Sequence, residues 1–566
     1  MPRTTEPLSI AAALFSACLL FTSPAAAQDH SGATVVVPVL KGLVFVSNTS
    51  DFQKDGVDKP GITLAPVKML DSADFRDRMS ANIGKPLTFD GLNQITHSVV
   101  AYYREHHRPL VDAVAPAQNV QNGVIQIVVT EFRVGEVKVE GNNWFSDRVV
   151  TAPLTLQHGD IVDSAKLINQ LDAANTNPFR RVDLVYQPSA QPGFTDVVLK
   201  TQDRLPLRFF AGFDNSGPPA TTRSRWDLGV TWGNALWHDQ QLSYQFSSSD
   251  DFFTGRSRAP GEPGGPSFAG HSLTWSMPVR GRDSISLSGS FERSIPILGQ
   301  DFGLVGESVQ AGFRYNLALR RTGSLIHTLQ FGYDFKSTNN NLDFGGTQVS
   351  RNRVEIDQFP LGYAANLVDR WGSSAFTTSV VFSPGRLTPH NNDADFQPAN
   401  GQSGRDMASA RYTYWRSDFT RLTKLPVGAV WSSRIMGQTS TSNLLFTEQL
   451  AAGGQEILRG YDPNSILGDR GIVISNELRT PSLFKKTEGQ FGQLQFLGFW
   501  DWAHLGSVND VAGAVNHLNA SSVGVGTRYN FRSNLTGRFD YGWQLQHLPN
   551  AGARSHLASI ALIVAY

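Results

Sequence analysis

From Leu207 to the terminal Tyr566 the chain alternates apolar and polar residues with a period of two, in about sixteen successive segments. Val523, Val525, Tyr529 and Phe531 share one face, while Ser522, Gly524, Gly526, Arg528 and Asn530 occupy the other. After the turn Arg532-Ser533-Asn534, Phe539, Tyr541, Trp543 and Leu545 alternate with Arg538, Asp540, Gly542 and Gln544. A soluble sandwich also alternates, but aromatics this dense at strand ends are unusual there. Lipid outside and water inside account for both faces, so the pattern predicts a transmembrane β-barrel. Spread over 16 strands, this stretch leaves about 22 residues for each strand and its connection, and an even count returns both ends to one side of the membrane. Ile560, Leu562, Val564 and Tyr566 form the closing strand. The polar insertions Asp250–Gly270 and Gly385–Arg405 are expected to be extracellular loops, and Val279–Asp283 a short periplasmic turn.

The first residues fit export. Arg3 precedes the apolar run Leu8–Phe21, and Ala25-Ala26-Ala27 offers a cleavage site, which makes residues 1–27 a signal peptide. The sole cysteine, Cys18, falls inside it, as suits an oxidising envelope compartment. Beyond the leader there is no run of about 18 apolar residues for a transmembrane helix. With 49 basic and 49 acidic side chains, the chain lacks the electrostatic footprint of a nucleic-acid binder.

Between the leader and the barrel, residues 35 to about 203 read as mixed α/β. Leu92, Ile95, Val99 and Tyr102 recur at helical spacing behind the cap Thr88. Strands are expected at Val124–Glu131 and Val137–Glu140, a second helix at Ser164–Ala174, and further strands at Val182–Tyr186 and Thr195–Lys200. The order of strand, helices and strands therefore occurs twice, which two small α+β domains in tandem explain.

Four motifs in order carry a resemblance. Pro116–Gly123 with Ala117-Gln118, Asn175–Val182, Phe213-Asp214-Asn215-Ser216-Gly217, and Gly453–Tyr461 followed by Leu467–Gly471 resemble the two-partner secretion transporters, TpsB type, of the hemolysin activator and filamentous haemagglutinin transporter family. The resemblance implies POTRA domains at 28–132 and 133–206 and an outer-membrane barrel at 207–566. It implies a chain that binds an unfolded exoprotein in the periplasm and exports it through the barrel. It also implies a lumen loop carrying Leu458, Arg459, Gly460 and Tyr461, with leucine where the family has valine. Asp501 in Phe499-Trp500-Asp501 is the implied inner-wall partner of Arg459, and Glu477 is the competing acceptor. The remaining implied partners are outer-membrane lipid and the barrel-assembly machinery, which would read the C-terminal strand ending at Tyr566. Family members carry an N-terminal plug helix, for which the span between Gln28 and Val35 leaves no room.

Enzyme readings find little support. Gly270-His271-Ser272-Leu273-Thr274 lacks the last glycine of a nucleophile elbow, and the adjacent His106 and His107 diverge on a helix end rather than converge on a metal. No nucleotide-binding loop, cofactor or metal motif is present in the sequence. Two other readings remain open: an insertase of the same superfamily, which calls for three or more POTRA domains, and a passive porin, which needs none.

Overall fold

The computed structural model describes residues 34–64, 67–255, 264–297, 302–344, 347–350, 353–398, 404–484, 491–549 and 554–566. The signal peptide and the middle of the 250–270 insertion, with Gly261, lie outside them. The chain divides into two units, 1–205 and 206–566.

The first unit holds three sheets of two, four and three strands, and the two larger ones each have their own core. β1 (Val35–Val37), β2 (Gly42–Val46) and β3 (Gly61–Thr63) are followed by helix α1 (Ala73–Ser80), β4 (Leu87–Thr88), helix α2 (Phe89–Glu105), β5 (Val111–Val114) and β6 (Val124–Glu131). Strands pair in the order β3-β2-β6-β5. Helix α2 starts where the sequence places it, because the Thr88 hydroxyl accepts the Gly91 N–H, and its stripe of Ile95, Val99 and Tyr102 is buried against the sheet. Strand β6 is apolar without alternation because both its faces are covered. Ile125, Ile127 and Val129 face the main core, while Val124 and Val128 meet Val44 and Val46 on the other side. Gln126 sits on that second face, 1% exposed, and exchanges two hydrogen bonds with the Gln53 backbone (3.0 and 2.7 Å). Gln118 does the same for the Gln126 backbone at 2.8 Å each way, which gives the Ala117-Gln118 motif a structural purpose. Helix α1 escapes sequence reading because it buries only Phe75 and Met79, too few residues to make a periodic face.

The second half repeats the plan with β7 (Arg133–Glu140), helices α3 (Asp147–Thr151) and α4 (Ser164–Ala174), β8 (Arg180–Pro188) and β9 (Phe194–Asp203), paired β7-β9-β8. The Asn175 amide donates to the Val182 carbonyl and accepts its N–H (2.9 and 2.7 Å), acting as one more rung before β8. The Asn177 side chain caps the Phe179 N–H, and Arg180 returns to the Ala174 carbonyl. The Asn175–Val182 motif is therefore a helix-to-strand corner. Asp203 closes the far end, its carboxylate accepting the backbone N–H groups of Asn143, Trp144 and Phe145 at 2.7–3.1 Å.

The second unit is a closed antiparallel barrel. It runs through β10 (Leu207–Asp214), β11 (Arg225–Ala235), β12 (Gln240–Ser249), β13 (Phe268–Pro278), β14 (Ser284–Ser294), β15 (Phe302–Ala318), β16 (Leu325–Phe344) and the short β17 (Thr347–Ser350). It continues with β18 (Arg353–Asp369), β19 (Gly372–Ser383), β20 (Tyr412–Lys424) and β21 (Val430–Ser440). A hairpin, β22 (Leu450–Ala452) with β23 (Ile466–Gly468), precedes β24 (Arg470–Arg479), β25 (Gln493–Gly506), β26 (His517–Phe531), β27 (Leu535–Gln544) and β28 (His556–Ala565). β17 only extends the tip of β16, and β22 pairs with β23, so the wall has 16 strands. Outward positions such as Trp226, Phe313, Trp415, Phe539 and Leu562 are exposed and apolar, whereas the alternate inward positions carry Asp334, Arg416, Glu477, Asp501 and Arg528.

The connection 384–411 departs from its polar composition. Phe396, on one helical turn, is fully buried with Val354, Ile356, Val381, Tyr412 and Tyr414 of the barrel and Leu444 and Leu445 of a later loop. An insertion that reads as solvated thus contributes apolar anchors, and sequence periodicity cannot flag them because they are single residues among polar ones.

Candidate functional site

Residues 441–469 connect β21 to β24 and fold back along the inner wall. The β22–β23 hairpin at the base of the loop pairs with itself and with no barrel strand among the described residues. Leu450, Ala452, Leu458, Tyr461 and Ile466 pack against Val473, Ala503, Leu505 and Ala520 of β24–β26. Between its ends, where the Thr441 N–H meets the Thr413 carbonyl and the Asp469 N–H the Gly506 carbonyl, the loop is held to the wall by side-chain packing and by hydrogen bonds that involve side chains.

Arg459 is at its centre and only 2% exposed. Its Nε and Nη2 fork onto the two Asp501 oxygens at 2.9 Å each, and its backbone N–H reaches the same carboxylate at 2.9 Å. Nη1 donates to Glu477 Oε2 at 2.5 Å and lies 3.7 Å from Asp540. The guanidinium stacks on Phe499 with 3.7 Å from its carbon to the ring centre. Asp501 and Glu477 thus serve together as acceptors, because they lie at paired inward positions of neighbouring strands, Asp501 beside Ser475 and Glu477 beside Phe499.

The two acids differ in what else they hold. Glu477 also accepts from Arg528 at 2.8 Å and pairs with Arg479. Asp540 pairs with Arg528 (2.9 Å) and Arg538 (2.6 Å). Asp501, fully buried, has Arg459 as its cation and the Ser475 hydroxyl at 2.6 Å as its other donor. Within the wall, Arg479 and Arg528 pair with Glu477, and Arg528 and Arg538 with Asp540, whereas Asp501 has no cationic partner other than Arg459 among the described residues. Arg538 reaches back to the loop through Glu456 and the Gln455 carbonyl.

The neighbours of Arg459 have separate tasks. Leu458 is buried with φ +57°, a left-handed conformation that costs about 1–2 kcal/mol for a residue with a side chain. Gly460 lies directly on Gly542 of the wall, where a Cβ on Gly542 would come within 2.7 Å of the Gly460 nitrogen. The Tyr461 hydroxyl sits between the carbonyls of Ser521 and Gln546 at 3.0 and 2.6 Å.

A second buried ion pair ties the loop at its other end. Asp469 receives Arg405 Nη1 and Nη2 at 2.5 and 3.1 Å, together with the Leu444 N–H, the Gln449 amide and the Val508 N–H. Arg405 also donates to Ser507 Oγ at 2.9 Å, so connections 384–411, 441–469 and 507–516 meet at one carboxylate. Sequence reading missed Arg528, Arg538, Asp540 and Gly542 as members of the site. Their signal is the alternation itself, since charge or glycine opposite a lipid-facing aromatic must face the lumen. Arg405 with Asp469 has no local signal, because 64 residues separate the pair.

Residues 193–529 match the family model described as haemolysin secretion/activation protein ShlB/FhaC/HecB. The chain belongs to this family. Residues 60–131 match a POTRA domain of ShlB type. Among curated relatives, the outer membrane transporter CdiB of Dickeya dadantii (strain 3937) is 22% identical over 460 residues, covering 81% of this chain and 77% of that protein. The heme/hemopexin transporter protein HuxB of Haemophilus influenzae (strain 86-028NP) is 20% identical over 411 residues, covering 70% and 67%. The solved structure of CdiB from Escherichia coli superposes with TM-score 0.70 at 18% identity, covering 98% of this chain and 95% of that one. BamA from Haemophilus ducreyi lacking POTRA domains 1–3 shares the fold at TM-score 0.50 and 14% identity, over 85% and 95% of the two chains. As a TpsB-type member, the ShlB/FhaC/HecB-family protein described here is an outer-membrane β-barrel transporter whose POTRA region lies in the periplasm. The loops carrying Arg459 and Arg405 are then at the extracellular end, since β10 enters from the periplasm and the strands alternate.

Proposed function

We propose that this chain exports a partner exoprotein, captured unfolded in the periplasm by two POTRA domains, 28–132 and 133–206, and passed through the barrel 207–566. The observation that carries this reading is how the lumen is filled. The loop bearing Leu458, Arg459, Gly460 and Tyr461 is anchored to Asp501 and Glu477 by side chains, and its hairpin is independent of the wall. Such a loop can leave the lumen without unzipping a barrel strand. Capture is by strand addition, for which β8 offers an edge of the sheet β7-β9-β8 beyond the Asn175 rung at Val182, and main-chain hydrogen bonds make little demand on client sequence. No nucleotide is hydrolysed. Folding of the client outside the cell draws export forward. The strand ending at Tyr566 is what the barrel-assembly machinery reads during insertion.

The test is a cell whose only copy lacks residues 34–205. Its barrel should still insert, as heat-modifiable mobility in electrophoresis reports, while at least one large protein disappears from the culture medium. An inserted barrel with an unchanged medium overturns the reading.

A further inference from the structure

The barrel closes between β10 and β28 over a short junction. Phe210–Asp214 pair with Ala561–Ala565, with backbone bonds between Phe209 and Tyr566 adding to one end. The neighbouring junction β27–β28 runs over Leu535–Trp543 against His556–Val564. On the β10 side, regular pairing stops at Asp214 with one further backbone bond, from the Asn215 N–H to the Ile560 carbonyl at 3.3 Å, while β28 stays paired with β27 as far as His556.

Two side-chain amides extend the short junction. Asn215 Nδ2 donates to the Ala558 carbonyl at 2.9 Å, and Asn215 Oδ1 accepts the Ile560 N–H at 2.9 Å. The side chain thereby copies the two hydrogen bonds of a β-ladder rung. Gln455, in the lumen loop four residues before Arg459, donates its Nε2 to Asn215 Oδ1 and to the Ile560 carbonyl, both at 3.1 Å. The same loop holds the connection that follows β10 a second time, since Arg223 meets Asp462 at 2.6 Å. The lumen loop therefore touches β28 and the connection that leaves β10 at the extracellular end of the closing junction. Its hold there is made of polar groups that water can replace once the loop withdraws.

We propose that Asn215 and Gln455 couple the loop to the barrel seam, so that leaving the lumen and loosening the β10–β28 junction are one event. Arg459 sets whether the loop is docked; Gln455 transmits docking to the seam; Asn215 converts it into strand pairing. All three are positioning residues. The consequence is directional: any client segment that displaces the loop meets a barrel whose wall has become extensible at one junction and at no other. This goes beyond the export reading and is measured without a client.

Spin labels at Phe213→Cys and Leu562→Cys, which are paired across the seam, report its width by pulsed electron resonance in the full-length protein in lipid. Labels at Gly537→Cys and Leu562→Cys serve the adjacent junction as control. Gln455→Ala should add a longer population at the seam and none at the control. Arg459→Ala should add the same population, and Gln455→Ala in that background should add nothing further. Gln455→Asn, which keeps an amide but shortens its reach, should give a population between those of the parent and the alanine variant. A seam distribution unchanged by both Gln455→Ala and Arg459→Ala overturns the proposal. Strictly additive effects of the two, or equal broadening at the control junction, overturn it as well.

Discussion

Asp501 holds Arg459 through three hydrogen bonds of 2.9 Å, one from the backbone and two from the guanidinium, and among the described residues it has no second arginine to fall back on. Glu477, by contrast, is shared by Arg459, Arg479 and Arg528. This asymmetry ranks the partners. Removing either member of a buried pair leaves an uncompensated charge at about 3–5 kcal/mol. Arg459→Ala and Asp501→Ala should therefore both release the loop and lower export, whereas Glu477→Ala should lower it less. Arg459→Asp with Asp501→Arg should recover part of the loss if the pair is structural. Normal secretion by Asp501→Ala would sink the anchoring role and leave Glu477 as the acceptor to test.

The contact between Gly460 and Gly542 makes a steric prediction. A methyl on Gly542 would approach the Gly460 nitrogen to 2.7 Å, too close to be absorbed without moving backbone. Gly542→Ala should push the loop off the wall without touching any charge, and a cysteine at Leu458 should become reactive towards a water-soluble thiol reagent in that background. An unreactive Cys at 458 in the Gly542→Ala barrel would show that the wall yields instead.

Arg405 and Asp469 predict a leak. Arg405→Ala leaves Asp469 fully buried beside backbone donors and one amide, and unlinks three connections at once. The expected result is a larger or more frequently open conductance in planar bilayers, with the barrel still heat-modifiable. Arg405→Lys should restore little, since one ammonium cannot fork onto both oxygens. Parent-like conductance in Arg405→Ala would mean that the apolar seat of Phe396 closes the lumen alone.

In the periplasmic region, Asp196 gives a pH dependence. The Glu136 N–H, at 2.9 Å, is the main reason its carboxyl titrates below the usual carboxylate range; partial desolvation opposes this, and the Ser189 hydroxyl and Lys138 assist. A folded value below the unfolded one means that the contribution to stability is present above the ordinary carboxylate pKa and is lost as pH falls through the lowered value. Amide exchange along β7 and β9 in the full chain should therefore speed up on acidification, and Asp196→Asn should flatten that part of the profile. The same slope in the variant would assign the effect to another group.

Local chemistry was enough to place much of this molecule. Alternation between Leu207 and Tyr566 dictates a barrel because a two-residue period commits each side chain to lipid or lumen, and the spacing of Ile95, Val99 and Tyr102 dictates helix α2 because its 3.6-residue period commits them to one face. The motif around Arg459 was legible as a Gly-flanked loop, and Asp501 and Glu477 were both legible as acceptors. That the arginine takes both of them at once was decided by strand register, which sets Ser475 beside Asp501 and Glu477 beside Phe499. Arg405 with Asp469, Gly460 on Gly542, and Gln455 with Asn215 belong to the same class. Each joins residues tens to hundreds of positions apart, and no periodicity spans such distances. The sequence alone determined which faces exist, because that follows from each residue's own neighbours. Only the closed barrel decided which loop residues meet them, because closure brings first and last strands together and folds the loops into the space they enclose.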